Sequence, residues 1–506
     1  MQRLVAEQSA QIERLTERLD WYKRQVFGPK SEKLPPLDTE QGALFERTAP
    51  VAPDDQNNFT HVPAHKRRKH RTGDEVNDTG LRLDASVPRK IIQLSCAELR
   101  GPNAAEYEIV STKISQRLAR QPGSHVVLQY ERPVVRHKGS GKLTTTPAPL
   151  GVLDHAQVDV TVLAGLLIDK FTYHTPLYRQ HQRLLDEGVT VSRQTLLNWA
   201  SRAIGLLEPI AHCQRGMIIS GAHLKIDETP IKAGRTKTAS GQGKMKQGWM
   251  WPMLGEHGDI AFLYSPGRGL NVVKEALGEH FEGTIQTDGY KVYASYAKEL
   301  PKCIHALCWA HTRRAILKAE ASEPERTKTL LEPIQALYRV EKELRERGAG
   351  EHDILTTRAR DTEPIIDAFF ERAHRMIADP SLLPKSPLAK ALKYAKEREQ
   401  GLRVFLTDAW LAPDTNDLER ALRVVPMGRK NWLFCSTEMG AEQVATIQTL
   451  LASCRAHGVD PYTYLVDVLQ RVQNHPASAV GELTPRVWKE TFAGDPLRSD
   501  LDRVTR

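Results

Sequence analysis

The sequence predicts a multidomain chain with a mixed α/β core, a helical insertion within that core, and strand-rich and helical regions before it. Three observations predict this fold class. The chain has 506 residues, which is too long for one hydrophobic core. Residues 222–308 switch between apolar strand-like runs and helical periodicity, and residues 312–404 are charged and patterned as helices.

The core is predicted from the order of its elements, in which three consecutive strands precede alternating helices and strands. Strands are expected at 223–226, 248–254, 260–264, 284–287 and 303–308, and helices at 271–280 and 292–300. This order is that of a ribonuclease-H-like α/β core. A final core helix is expected after the insertion.

Composition and periodicity divide the whole chain into eight segments. The segments that precede the core are predicted to bind DNA or to promote oligomerisation. The predicted boundaries are 1–28 for a coiled coil, 29–75 for a linker and basic arm, 76–150 for a strand-rich module, 151–215 for a helix-turn-helix-like region, 216–314 for the first core part, 315–404 for the helical insertion, 405–435 for the second core part, and 436–506 for a C-terminal helical region.

The N-terminal segment has a heptad pattern over about three repeats, which predicts a short coiled coil and a homo-oligomer. An amphipathic helix docked on the body is the alternative. Gly28 and Pro29 then end the helix. The residues at the a and d positions are Val5, Gln8, Ile12, Leu15, Leu19, Tyr22 and Val26.

The chain is basic, with a formal net charge of +9, which favours a polyanionic partner without establishing one. A cluster of cations is expected to form an arm for phosphate contacts, with a solvated tail as the alternative. No membrane span or signal peptide is expected, and six scattered cysteines fit a reducing cytoplasm. The clustered cations are Lys66, Arg67, Arg68, Lys69 and Arg71.

Residues 176–202 are patterned as a helix, a short turn at Gly188 and a second helix, with Ser192 as the expected N-cap. The start of the second helix is where a helix-turn-helix contacts base edges or phosphates. Two packed helices that do not bind DNA are the alternative. The candidate DNA contacts are Arg193, Gln194 and Asn198.

Two aspartates, Asp227 and Asp288, each end a predicted strand, and Glu419 lies in the predicted helix after the insertion. Carboxylates from separate elements of one sheet are what two-metal phosphoryl-transfer sites require. Taken singly, each aspartate is also an ordinary turn residue. Asp414 is expected to cap the helix that carries Glu419. The carboxylates that compete for a ligand role are Glu228, Asp414 and Asp417.

With these segments in place, the chain resembles the IS66 family of bacterial insertion-sequence transposases over nearly its whole length. The resemblance implies a DDE-type transposase that binds terminal inverted repeats and transfers DNA strands, with Asp227, Asp288 and Glu419 as the triad for Mg²⁺ or Mn²⁺. It also implies a cytoplasmic, nucleoid-associated protein with accessory partners from the same element. The matching motifs begin at Arg24, Asp227, Thr287, Cys308, Asn416, Gly428 and Gly458.

Further residues gain roles from the resemblance. His311, of the motif that begins at Cys308, is expected near the active site, and packing is the alternative for Cys308 and Trp309. The candidate phosphate contacts are Arg313, Arg314, Arg429 and Lys430. Zinc is not expected, because the family's paired CxxC motifs are reduced here to Cys96. A non-catalytic DNA-binding protein derived from a transposase and a ribonuclease-H-like nuclease are the alternative functions.

Overall fold

The computed structural model describes residues 81–504 apart from 84, 86, 101–102, 122, 237–242 and 433–434. The chain divides into two compact units, Met1–Arg82 and Leu83–Arg506. The elements named below belong to the second unit. The coiled coil predicted at 1–28 and the basic arm with Lys66, Arg67, Arg68, Lys69 and Arg71 lie outside the described residues.

A four-stranded sheet begins the second unit and contains the predicted strand-rich stretch. Its strands are β1 (Arg89–Gln93), β2 (Tyr107–Gln121), β3 (Ser124–His137) and β4 (Leu143–Thr145). The order is β1-β3-β2, and β4 pairs with β3 in antiparallel fashion. The hairpin predicted around Gly139 and Gly141 is therefore confirmed, and Gly141 has the positive φ of +68° that its turn requires.

Three helices follow, and they confirm the predicted helix, turn and helix. They are α1 (Val160–Phe171), α2 (Leu177–Asp186) and α3 (Arg193–Ile219), with a two-residue strand, Val189–Thr190, before α3. Ser192 caps α3, because its hydroxyl accepts a hydrogen bond from the Thr195 N–H at 3.0 Å. The helix continues well past Arg202, since Leu207, Ile210 and Ile218 keep the buried face apolar.

A six-stranded mixed sheet forms the core. Its strands are β5 (His223–Ile226), β6 (Thr229–Arg235), β7 (Met245–Gly255), β8 (Ile260–Ser265), β9 (Gly283–Thr287) and β10 (Cys303–Leu307), with α4 (Leu270–Leu277) and α5 (Lys291–Glu299) between them. The order is β8-β7-β5-β9-β10, and β6 pairs with β7. Strand β7 runs antiparallel to both of its neighbours in this order, β8 and β5. Strand β9 runs parallel to β5, and β10 runs parallel to β9. Strand β6 is not among the strands predicted from the sequence.

The stretch predicted as a helical insertion is helical, and its apolar side chains form a core around Trp309. The ring of Trp309 contacts the edge of Phe369, with centroids 5.2 Å apart. The helices are α6 (Trp309–Leu317), α7 (Pro324–Glu346), α8 (Glu351–Thr357), α9 (Glu363–Ala378), α10 (Pro387–Lys396) and α11 (Glu399–Arg403), with a π-helical turn at Arg358–Thr362 and a 3₁₀ turn at Val404–Thr407.

The last helices follow the insertion, and one of them covers the edge of the sheet at β8. They are α12 (Asn416–Leu422), α13 (Val424–Trp432), α14 (Glu438–Ala456), α15 (Pro461–Arg471), α16 (Pro485–Thr491) and α17 (Asp500–Val504), with a 3₁₀ turn at Ala477–Leu483. The hydroxyls of Ser453 and Thr449 on α14 accept hydrogen bonds from the N–H groups of Ile260 and Phe262. These bonds satisfy donors that an open edge strand would expose. Within the described residues, no helix is long and apolar enough to cross a membrane.

Candidate active site

Asp227 and Asp288 follow neighbouring parallel strands at the same edge of the core sheet. In the register of β5 and β9, Gln286 pairs with Lys225. Two further steps along both strands bring Asp288 level with Asp227. Because paired strands lie ~4.8 Å apart, the sheet brings these two acidic residues together.

The environment of Asp227 disfavours its negative charge. Burial raises the pKa of its carboxyl to about 7, although the carboxylate accepts a hydrogen bond from the Glu228 N–H at 2.7 Å. The nearby negative charges of Asp288 and Glu228 raise the pKa further. A cation at this edge would relieve the repulsion between the carboxylates.

Glu228 competes with Asp227 for a ligand role on the sequence alone, but its carboxylate is already bound. Its side chain is buried and accepts hydrogen bonds from Arg268 Nε at 2.8 Å and from the Tyr293 hydroxyl at 2.5 Å. Arg268 in turn lies 4.6 Å from the ring centroid of Trp249 and 4.0 Å from that of Tyr290. Glu228 therefore holds the turn after β5 against the sheet.

The helix that carries Glu419 is joined to β5 by a buried lysine. Lys225 is 3% exposed, and its ammonium group donates to Asp417 at 2.7 Å. The same ammonium lies 5.6 Å from the ring centroid of Trp410. Asp417 is thus bound by Lys225, as Glu228 is by Arg268, and the ion pair fixes α12 over the sheet.

The segment before α12 is anchored by two further hydrogen bonds. The Gln286 amide on β9 donates to the Ala412 carbonyl at 2.6 Å. The Trp309 N–H at the start of α6 donates to the Pro413 carbonyl at 2.8 Å. Strands β5 and β9 and helix α6 therefore all position the helix of Glu419.

The predicted cap of α12 is wrong by one residue. Thr415 is the N-cap, and its side chain makes no capping bond. Asp414 precedes the cap, and its carboxylate accepts from the Asn416 N–H at 3.1 Å and from the Asn416 amide at 2.7 Å. The side chain thus forms a local turn before the helix, because the backbone of Asn416, rather than that of the next two residues, lies within its reach.

Glu419 contacts two residues of α6. Its carboxylate lies 3.8 Å from His311 Nε2 and 3.6 Å from an Arg314 guanidinium nitrogen. Glu419 Oε1 and His311 Nδ1 are both buried with no hydrogen-bond partner among the described residues. Arg313, the neighbouring candidate for a phosphate contact, is exposed. His311 therefore lies beside Glu419, and it is near enough to Asp227 that its charge partly offsets the rise in pKa that burial causes there.

The three acidic residues do not form a closed ligand set in this conformation. Across the described part of the chain, no three histidine, cysteine, aspartate or glutamate side chains are close enough to hold a metal ion. The Glu419 carboxylate instead lies beside His311 and Arg314.

Cys308 and Trp309 are packed in the protein interior. Burial raises the pKa of the Cys308 thiol, which also bonds to Thr415. The Trp309 indole is 1% exposed and donates to the Leu402 carbonyl at 2.8 Å. Cys308 and Trp309 therefore have the packing role that is expected from the sequence as the alternative for them.

The candidate DNA contacts on α3 lie at its exposed start. Arg193 is exposed and lies 5.6 Å from the ring centroid of Tyr178 on α2. The Gln194 amide donates to the Asn198 side chain at 3.0 Å, so these two residues bind each other. Of the three candidates, Arg193 is therefore the one whose charged side chain is exposed at the start of α3.

Arg429 and Lys430 are the candidate phosphate contacts on α13, and the structure describes the side chain of the first. Arg429 donates to the Pro230 carbonyl, next to the turn that contains Asp227. The side chain of Lys430 is outside the described part of the chain. Arg429 therefore joins α13 to the start of β6.

Lys225 is a residue of the site that the sequence motifs do not predict. A signal for it exists, because in His223–Ile226 a charged or polar residue alternates with an apolar one. The polar face of a strand at the centre of a sheet must be covered by partners. His223 fits the same pattern, since it stacks on Trp410 at 4.9 Å and binds Asp408 at 2.8 Å.

Comparison with protein families identifies the class of the chain as a transposase. The model described as Transposase IS66 family matches residues 155–443, and the IS66 C-terminal element matches residues 449–486. A third model, Transposase C of IS166 homeodomain, matches residues 14–92. The chain belongs to the IS66 family of transposases.

Relatives from Sinorhizobium fredii share this length. The uncharacterized protein y4qI is 28% identical over 96% of this chain and 90% of its own length, and y4jD is 28% identical over 94% of each. A solved structure, the Drosophila P element transposase strand transfer complex, is 11% identical and covers 71% of this chain and 88% of its own chain. Its TM-score of 0.22 is too low to support any argument about fold or function.

Asp227→Asn is expected to stabilise the protein in the absence of divalent cations. The carboxyl pKa rises from 3.8 in the unfolded chain to about 7 in the folded state, so the folded state binds the extra proton. Stability of the parent therefore falls as pH rises from 4 to 7, by about 2–4 kcal/mol. Urea unfolding at pH 4 and pH 8 should show a gain for the variant at pH 8 that shrinks toward pH 4.

Asp259→Asn is the matched control, with the opposite sign. Burial opposes ionisation there too, but ion pairs with His457 and Arg486 lower the pKa of Asp259. Its ionised form therefore stabilises the fold at pH 8, and the variant should be less stable there. An equal loss of stability in both variants at pH 8 would contradict the account of Asp227.

Proposed function

We propose that the chain is a DDE-type DNA transposase with a ribonuclease-H-like core, and that Asp227, Asp288 and Glu419 hold its divalent cations, Mg²⁺ or Mn²⁺. The enzyme binds the terminal inverted repeats of its element, cleaves DNA strands and joins them to target DNA. The observation that carries this proposal is the pair of aspartates after neighbouring parallel strands. The order of the core strands supports the fold assignment.

The donor set fits a hard divalent cation. Such ions prefer carboxylate oxygens, and the buried Glu419 Oε1 has no hydrogen-bond partner among the described residues. Burial, with the nearby charges of Asp288 and Glu228, raises the pKa of the Asp227 carboxyl, and a bound cation would favour its ionised form. Bound divalent cations supply activation of the attacking hydroxyl and stabilisation of the leaving oxygen.

The chain's own residues supply the positioning. Lys225 holds the helix of Glu419 through Asp417, and Arg268 holds the turn of Asp227 through Glu228. His311 and Arg314 both lie beside the Glu419 carboxylate, so α6 sets the position of that side chain next to the sheet. Arg313 and Arg314, exposed on α6, are proposed to contact DNA phosphates beside the acidic residues.

DNA binding is proposed to use separate surfaces. Arg193, Gln194 and Asn198 on α3 are proposed to contact the inverted repeats, and Arg429 and Lys430 to contact backbone near the acidic residues. The basic arm supplies sequence-independent phosphate contacts. Oligomerisation through residues 1–28 would bring two element ends together, and accessory proteins of the same element complete the proposed assembly.

Neutralising the arm is expected to weaken the dependence of DNA affinity on salt. Replacing Lys66, Arg67, Arg68, Lys69 and Arg71 with glutamine removes up to five phosphate contacts. Each contact contributes about 0.9 to the slope of log affinity against log salt on duplex DNA. Fluorescence anisotropy from 50 to 300 mM salt should show a slope lower by about 2–4. An unchanged slope would mean that the arm is a solvated tail.

The test of the proposed function uses the full chain, labelled DNA of the sequences that flank its gene, and Mg²⁺. Cleavage at the element ends and joining to a target plasmid are the expected products. Binding without cleavage would support a non-catalytic DNA-binding protein instead. Cleavage that ignores the end sequence and yields no joined product would support a nuclease.

A further inference from the structure

The turn after β9 is contacted by the helical insertion, directly at the backbone of Asp288. Tyr394 lies on α10, and its hydroxyl donates to the Asp288 carbonyl at 2.9 Å. Arg398, which follows α10, donates from its guanidinium to the Gly289 carbonyl at 3.2 Å. These are bonds between parts of the chain more than a hundred residues apart.

The two insertion residues also bind each other. The guanidinium of Arg398 lies 3.8 Å from the ring centroid of Tyr394 and donates to its carbonyl at 3.3 Å. The Arg398 side chain is only 23% exposed. Because the Arg398 side chain is already held by Tyr394, it loses little conformational entropy when it binds the Gly289 carbonyl. The pair is therefore preorganised to hold the turn.

The turn itself fits this contact closely. Gly289 has a φ of +90°, which disfavours any other residue. A Cβ atom at this position would lie 2.9 Å from Arg398 Nε and 3.3 Å from the Tyr394 hydroxyl. Glycine therefore allows both the backbone conformation and the approach of the insertion.

The opposite side of the turn is held by the sheet. The Gly289 N–H donates to the Thr287 hydroxyl at 3.1 Å, and that hydroxyl bonds to His305 on β10 at 2.8 Å. The Asp288 carboxylate accepts from the Tyr290 N–H at 2.8 Å. With the sheet fixing one side, the Tyr394–Arg398 pair determines where the other side of the turn lies.

We propose that Tyr394 and Arg398 are positioning residues through which the helical insertion sets the Asp288 carboxylate for cation binding. The proposal rests on the proposed function of Asp288. The mechanism acts through the backbone, because both insertion residues bind carbonyls and neither touches the carboxylate. Loss of such supporting partners costs metal sites 10- to 100-fold in affinity, as an order-of-magnitude guide.

Tyr394→Phe tests this with a matched control, Tyr296→Phe. Tyr296 on α5 also donates its hydroxyl to a carbonyl, that of Gly278, at 2.7 Å. Each variant therefore loses one hydroxyl–carbonyl bond. Binding of Mn²⁺ alone is measured by the electron paramagnetic resonance of the free ion. The half-saturating Mg²⁺ concentration for end cleavage is measured in parallel, and thermal unfolding monitors folding.

Tyr394→Phe is expected to weaken Mn²⁺ binding about 10-fold and to raise the half-saturating Mg²⁺ concentration to a similar extent, with Tyr296→Phe equal to the parent in both. Saturating cation should restore the cleavage rate of Tyr394→Phe. Arg398→Lys, which keeps the charge but loses the planar fork, should act in the same direction and serves if Tyr394→Phe fails to fold. Parental Mn²⁺ affinity in both insertion variants would overturn the proposal. A parent protein that binds no Mn²⁺ would instead overturn the proposed function.

Discussion

Glu419→Gln is expected to abolish strand cleavage and joining while leaving the affinity for element ends unchanged. The amide keeps the size of the side chain but removes the negative charge that a hard cation requires. Loss of one preorganised electrostatic group costs on the order of 10²–10³ in rate, and we expect loss of a cation-binding carboxylate to cost at least as much. The contacts of Glu419 with His311 and Arg314 are long, so its loss should perturb the fold little.

Single-turnover cleavage of labelled ends and anisotropy on the same DNA separate these two effects. Glu371→Gln is the matched control, because Glu371 is exposed on α9 and pairs with its helical neighbour Arg375. The control should cleave at the parental rate. If Glu419→Gln also cleaved at that rate, Glu419 would have no part in the chemistry. If it lost DNA affinity as well, binding and catalysis would not be separable as proposed.

Arg358→Met is expected to destabilise the protein by about 3–5 kcal/mol, the usual effect of breaking a buried ion pair. Arg358 is 2% exposed and binds both carboxylate oxygens of Glu341 at 2.7 and 2.8 Å. It also donates to the carbonyls of Phe405, Asp408 and Leu411. The substitution leaves a buried carboxylate and three carbonyls without these partners. The three carbonyls lie in the segment that leads to α12, so the helix of Glu419 loses part of its anchor to the insertion.

Urea unfolding measures this loss, with Arg347→Met as the matched control. Arg347 also pairs with an acid, Asp353 at 2.8 Å, but both side chains are about half exposed. A surface pair of this kind contributes about 0–1 kcal/mol. Replacing Glu341 with leucine in the Arg358→Met background should recover part of the stability, since no charge then remains buried. Equal effects of the two single arginine variants would contradict the role assigned to Arg358.

The sequence predicts every strand of the core except β6, because the residues of each predicted strand carry a local pattern. The strand after Ala222 and the strand before Asp288 are short segments that mix polar and apolar residues, and an acidic residue follows each of them; both are found where the sequence pattern predicts them. The start of α3 is marked in the same way by Ser192. Its end is not, because Pro209 suggests a break that packing overrides.

The ion pairs that position the site are not predicted from the sequence, because each joins residues that are far apart in the chain. Lys225 and Asp417 are 192 residues apart, and only the folded sheet brings them together. Likewise, nothing local distinguishes Asp227 from Glu228 as a ligand. The difference appears only in the folded chain, where Arg268, forty residues later, binds the Glu228 carboxylate. Buried polar partners are selected by tertiary contacts, which periodicity does not encode.

The central claim is that three distant carboxylates share one cation site, and iron-directed cleavage of the protein tests it most directly. Fe²⁺ that replaces Mg²⁺ produces hydroxyl radicals in the presence of ascorbate and peroxide, and these cut the nearby backbone. The predicted result is three cuts, near Asp227, Asp288 and Glu419, all suppressed by excess Mg²⁺ and by Asp288→Asn. Cuts near only one of these residues, or cuts that persist in Asp288→Asn, would contradict a shared site.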